Sequence, residues 1–277
     1  MDAVAMGWNL ATGLAMAVVG LLAVAWGRRR FGPGAGGWAG ASAWTVSVSL
    51  KIGAAALTYR GVEGLLQEWT GAGVAATVLE ALYNGLLTGV FEVGLVAGMA
   101  WRGSLRRAGF AQVARFGIGF GAAEAVSLGT TLLGLALLAG LAPDRLPGAA
   151  LWFVRQMRQT GGPLDLLWPA LERGSALAIH AVAALLVVAG FRARRPGLVA
   201  AAFLYKAAVD AAAAALVVTE GAGLSGGAAI AGEGLFLAMA LAGLLAVPPL
   251  RRHLAVGSSD GEDAGGGANL RERAWTA

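Results

Sequence analysis

Ten ionisable residues stand inside apolar stretches of this sequence: Lys51, Glu80, Glu92, Glu124, Glu172, Arg173, His180, Lys206, Asp210 and Glu233. A carboxylate kept from water is a stronger base than one in water, and an imidazole takes or gives a proton near neutral pH. These residue types therefore suit general acid–base chemistry on a bond that water must attack. Spacing groups them. Glu80, Asn84, Thr88 and Glu92 recur every four residues, a polar stripe drifting slowly round one helix face. Glu172 and His180 are about two turns apart on a shared broad face, with Arg173 placed to pair a carboxylate. Lys206 and Asp210 form an i,i+4 pair. Glu124 sits where Gly117, Gly121, Ala125 and Gly129, again four apart, make a smooth face for a neighbouring helix. The Gly-x-Gly-x-Gly at 117–121 is not a phosphate loop, because no strand precedes it.

Each group also has a structural reading. Asn84 and Thr88 suit interhelical hydrogen bonding. Lys206 and Asp210 would neutralise each other as a buried salt bridge. Lys51, Glu80 and Glu233 read best as structural partners, and a lone histidine is often only a packing residue.

The elements that must hold these residues are membrane spans. Of 277 residues, 57% are hydrophobic and 13% charged, about half the charge of a typical soluble domain, which carries about 25%. A spanning helix needs about 20 mostly apolar residues, and seven stretches qualify, at 3–26, 38–58, 73–101, 110–141, 166–191, 198–218 and 228–248. The fold class is all-α, a polytopic transmembrane bundle over 1–253 with a disordered tail over 254–277. Abundant Ala and Gly allow close helix packing in lipid. There is no cysteine, so disulfides, thiol nucleophiles and cysteine-bound metals are excluded.

The net charge of +5 comes from arginines in short clusters between apolar runs, a membrane pattern and not a nucleic-acid one. Arg28–Arg30, Arg102 with Arg106 and Arg107, Arg192 with Arg194 and Arg195, and Arg251 with Arg252 all fall on one side if the N-terminus is outside and the C-terminus cytoplasmic. The first span reads as retained and not as a cleaved signal, because Asp2 precedes it and its positive charges follow it. Large apolar residues and arginines alternate over Leu151–Arg158, as in a short helix lying in the outer interface.

Gly89-Val90-Phe91-Glu92, the Gly-rich run Phe116 to Ala125 containing Glu124, Glu172-Arg173 with His180, and Lys206-x-x-x-Asp210 occur in this order on successive spans. Together they resemble the YhfC family of glutamic-type or metal-dependent intramembrane proteases, similar to the wider CAAX-protease and PrsW-like group. The resemblance covers the third to sixth spans. It departs at three places. The group's paired glutamates appear here as Glu92-Val93, its His-x-x-x-Asn/Asp motif as Lys206-x-x-x-Asp210, and a histidine common in its Gly-rich motif falls near Phe120.

The resemblance implies hydrolysis of a peptide bond in a membrane protein or peptide, in the bacterial cytoplasmic membrane. Glu92, Glu124, Glu172, His180 and Asp210 are then the catalytic candidates, supported by Arg173, Lys206 and Asn84. Glu92 or Glu124 would be the base, His180 an oxyanion donor or metal ligand, Lys206 a positive charge at the oxyanion and Asp210 an orienting group. No cofactor is required. Zinc would need carboxylates to complete its ligand set, since His180 is the one histidine at membrane depth. Two other readings stay open: a degenerate relative that binds membrane partners without cutting them, and a proton-coupled transporter. The sequence does not fix oligomeric state.

Overall fold

The computed structural model describes residues 3–71, 73–103, 105–147, 164–221 and 227–255, and these are helical with short connections. The helices are α1 (Ala3–Phe31), α2 (Gly36–Thr70), α3 (Val74–Thr88), α4 (Gly94–Trp101), α5 (Phe110–Leu141), α6 (Leu164–Arg192), α7 (Pro196–Gly221), α8 (Gly227–Leu245) and α9 (Val247–Ala255). A π-helical segment, Gly89–Val93, joins α3 to α4 without a break. The expected interfacial helix at 151–158, the tail from 256 onward and the side chain of Glu233 lie outside the described residues.

Among the described residues six helical stretches are long and apolar enough to cross a membrane: Met6–Phe31, Val74–Trp101, Phe110–Leu141, Trp168–Arg192, Pro196–Leu216 and Gly234–Leu254. The chain is an integral membrane protein, and the lipid bilayer is its solvent. The seventh expected stretch, 38–58, belongs to α2, whose 35 residues carry Lys51, Arg60, Glu63 and Glu68. That helix does not stop near Thr58. No proline interrupts it, Gln67 Nε2 donates to Glu63 Oε1 at 3.4 Å one turn earlier, and it ends where Gly71 takes φ 69° and donates its N–H to Gln67 O.

The fifth span, within α6, is the centre of the bundle: 61% of its apolar window is buried, against 33% or less in the others. It packs on α5, α7, α8 and α1, while α2 and α1 flank α5, and α3 lies on α7. Phe116, Leu185, Val187 and Val188 fill the core where α5 meets α6. Beneath it α9 folds back, burying Leu250 and Leu254, and Arg192 Nη1 donates to Leu254 O at 2.9 Å.

Small residues set how closely these helices approach. A methyl group at Gly117 would strike Ala181 Cα of α6, and one at Gly121 would come within 3.0 Å of Leu177 Cα. A methyl at Gly85 would strike Ala207 O of α7. Lipid supplies no hydrophobic drive between helices, so such close backbone contact is what associates them. These contacts bring α5 to α6, and α3 with the π segment that continues it to α7, the segments that carry Glu92, Glu124, Glu172, His180, Lys206 and Asp210.

Candidate functional site

The four-residue stripe on α3 leads into the π segment. There the backbone closes i→i+5 bonds, as between Gly94 N–H and Gly89 O, and one residue is gained in the turn. Thr88 and Glu92 end up buried at 0% and 4% exposure, facing α7. Π-bulges of this kind concentrate at functional sites because they re-aim one side chain out of helical phase.

On α7, Lys206 Nζ stands 3.1 Å from Glu92 Oε2 and 3.3 Å from Asp210 Oδ1. Lys51 of α2 reaches the same acids from the other side, 3.5 Å from Glu92 Oε1 and 3.6 Å from Asp210 Oδ2. Thr88 knits the group together: its hydroxyl accepts from Lys51 Nζ at 3.0 Å and donates to Asp210 Oδ2 at 2.6 Å.

A second cluster lies between α5 and α6. Glu124 Oε2 is 2.8 Å from His180 Nε2, and Glu124 Oε1 accepts from Arg173 Nη1 at 2.5 Å. Arg173 also grips Glu172. The close approach at Gly117 and Gly121 makes this reach possible. His180 joins the clusters, because its Nδ1 lies 3.9 Å from Glu92 Oε2. Its ring packs on Phe120, with centroids 4.9 Å apart and planes tilted 35°.

The joined network holds three cations, Lys51, Arg173 and Lys206, against four carboxylates, Glu92, Glu124, Glu172 and Asp210. With His180 neutral one negative charge remains, and a proton on His180 would balance it. Burial of unpaired charge in lipid is costly, so near-balance explains how so many ionisable groups coexist. Glu92 Oε2 is buried and accepts no well-directed hydrogen bond, even with Lys206 beside it. It borders a small cavity with room for about one water, lined by Glu92, His180 and Lys206 on one side and by Val96, Phe116, Phe120 and Val187 on the other.

Five expected catalytic positions, Glu92, Glu124, Glu172, His180 and Asp210, thus converge from four helical segments, together with Arg173 and Lys206. Asn84 stands apart: its Nδ2 donates to Glu80 O in its own helix. Lys51 and Thr88, read from sequence as a structural partner and as hydrogen-bonding glue, belong to the network. Thr88 carried a signal, the four-residue stripe. Lys51 carried only its depth in α2.

A family model for the YhfC intramembrane metalloprotease matches residues 15–225. The chain belongs to the YhfC family. No curated protein and no solved structure matches it. The family is one of metalloproteases, which implies a metal, and the donor set here tests that. A catalytic zinc usually takes three protein ligands. In this YhfC protein His180 Nδ1 and Glu92 Oε2 face each other, but Lys206 Nζ, a cation without a lone pair, occupies the third direction at 3.1 Å from the same oxygen. The other position where the related group often has a histidine holds the Phe120 ring against His180. Among the described residues no three His, Asp or Glu side chains are grouped to hold a metal ion. The described residues do not fit a resident metal.

Proposed function

We propose that this YhfC protein hydrolyses a peptide bond of a membrane protein or peptide, with protein side chains in place of a metal. The observation that carries the reading is the doubly engaged His180, whose Nε2 is 2.8 Å from Glu124 while Nδ1 faces Glu92 across 3.9 Å. Glu124, itself fixed by Arg173, would accept a hydrogen bond from Nε2–H and leave the Nδ1 lone pair toward the cavity. A water about 2.8 Å from both Nδ1 and Glu92 Oε2 would subtend about 90° between them, close to the angle of its own two protons.

In the reaction His180 Nδ1 takes one proton from that water as its oxygen bonds to the carbonyl carbon. The carbonyl oxygen gains the negative charge, and the Lys206 ammonium is the nearest cation to stabilise it. The carbon–nitrogen bond then breaks, and His180 returns its proton to the leaving amine. Asp210 and Lys51 act as positioning residues that hold Lys206 and Glu92. The cavity has room for the attacking water, so a spanning peptide must reach it from the side as the helices part. The bundle would lie in the bacterial cytoplasmic membrane with its N-terminus outside and its arginine clusters within.

One observation favours a second reading. Both oxygens of Glu92 have an ammonium within 3.5 Å, so the acid is already paired on both sides, which suits a structural ion-pair network in a chain that binds membrane partners without cutting them. A single experiment separates the two. The full chain in proteoliposomes is mixed with a panel of membrane-spanning peptides in 18O-labelled water, and products are read by mass spectrometry. New carboxyl termini carrying the label, present with the native protein and absent with His180→Gln, are the expected result. Peptides bound but uncut by the native chain would establish the second reading.

A further inference from the structure

A second opening lies on the opposite side of α5 from Glu124 and the ion-pair network. It is a groove between α1, α2 and α5, open to its surroundings, with about 560 Å3 of room inside it. The proteolytic reading does not use it. Small residues on three of its walls, Gly27 on α1, Ala41 on α2 and Ala122 on α5, leave it unfilled, while Gly119 lets α5 close on the Gly37 backbone of α2. Its ionisable lining residues are Arg28 and Arg115, both toward one end.

Neither arginine has a carboxylate partner among the described residues. Arg115 Nη1 donates to Gly32 O at 2.6 Å, but its Nε is buried with no partner. Arg28 is exposed at the C-terminal end of α1, next to Arg29 and Arg30. Trp38, 78% exposed, stands at the same end, where an interfacial aromatic residue belongs. From this end the groove runs along α5 from Arg115 to Val126, about 16 Å at 1.5 Å per residue. Half of a bilayer's hydrocarbon core is about 15 Å. The groove therefore has the length of one leaflet, with its cations at the headgroup level and its apolar walls at the depth of the acyl chains.

We propose that this groove binds one anionic phospholipid, its phosphate against Arg28 and Arg115 and an acyl chain along α5 as far as Val126. An apolar peptide helix would fill the same volume but bring no anion to two uncompensated guanidinium groups. Basic pockets between spanning helices recognise acidic headgroups through this charge match, whereas a zwitterionic lipid brings no net charge to it.

The test uses the full chain in mild detergent, exposed to phosphatidylglycerol or phosphatidylcholine and weighed intact by native mass spectrometry. One phosphatidylglycerol retained per chain, at least tenfold more strongly than phosphatidylcholine, is the expected result. Arg28→Ala should weaken retention several-fold, Arg28→Lys should keep most of it, and Ala41→Phe should block the acyl path while leaving both arginines. Arg106→Ala, at an exposed arginine outside the groove, should change nothing. Inorganic phosphate should not displace the lipid. Equal retention of the two lipids, unchanged retention in both Arg28→Ala and Ala41→Phe, or full displacement by phosphate would each overturn the proposal.

Discussion

His180 Nδ1 lies 3.9 Å from Glu92 Oε2, a gap too long for a direct hydrogen bond and wide enough for one water bonded to both. Because the opposite ring nitrogen is held by Glu124 at 2.8 Å, the imidazole cannot turn away without breaking that bond. The polar half of the cavity is therefore organised around one ring.

The first prediction concerns that ring. General-base catalysis contributes typically 10²–10⁴-fold, so His180→Gln should lower peptide cleavage by about that factor. Glu124→Gln should act on rate in the same direction, since an amide leaves the imidazole free to take the wrong tautomer. Turnover in proteoliposomes, measured beside thermal unfolding in detergent, separates loss of chemistry from loss of fold. Cleavage undiminished in Glu124→Gln would remove the orienting role of that acid.

The second concerns Lys206. It is buried at 3% exposure between Glu92 and Asp210. Lys206→Met would leave two carboxylates facing only Lys51. Removing one partner of a buried ion pair costs about 3–5 kcal/mol, so this variant should unfold well below the native temperature. Asp210→Asn added to Lys206→Met should restore part of the loss, because one uncompensated charge goes with it. A strictly additive double variant would mean that the two side chains do not act as a pair.

Much of this arrangement was legible in the sequence. Residues such as Glu92, Glu124 and His180 stood out because charge inside an apolar stretch demands a partner, and their order on successive spans resembled a family to which the chain belongs. What sequence could not give was the partner each side chain meets. A stripe repeating every four residues pointed Asn84, Thr88 and Glu92 the same way, and Thr88 and Glu92 do share the cluster with Lys51, Lys206 and Asp210. Asn84, one turn before Thr88, instead bonds its own helix. Lys51 was underrated for a related reason: it enters from α2, whose role depends on tertiary packing and not on any local motif. The length of α2 was missed because Arg60, Glu63 and Glu68 look like loop residues, yet they serve equally well on a polar helix end.

The third prediction tests the missing metal ligands. Phe120 and Lys206 both border the cavity that holds His180 and Glu92. Phe120→His together with Lys206→His would give three imidazoles and a carboxylate, a donor set that suits zinc. The double variant should carry about one zinc per chain by elemental analysis, and the native chain should carry none after dialysis against a chelator. Stoichiometric zinc in the native chain, resistant to that dialysis, would contradict the reading of Lys206 as the built-in cation.

The last prediction concerns the small residues that close the site. Gly85 has no room for a methyl group against Ala207 O, and Gly117 has none against Ala181 Cα. Because the obstacles are backbone atoms, no side chain can swing aside, and the helices must separate. Overpacking of a tight contact costs about 1–3 kcal/mol. Gly85→Val should fall at or above the top of that range and also pull Thr88 from Asp210, whose present separation is 2.6 Å. Gly94, two turns further along the same span, has open space beyond its Cα. Gly94→Ala should therefore be neutral or slightly stabilising, since alanine is the better helix former. Unfolding temperatures of the two variants, measured in the same detergent, give the comparison. Equal stability would mean that the α3–α7 contact does not set the spacing of the acids and Lys206.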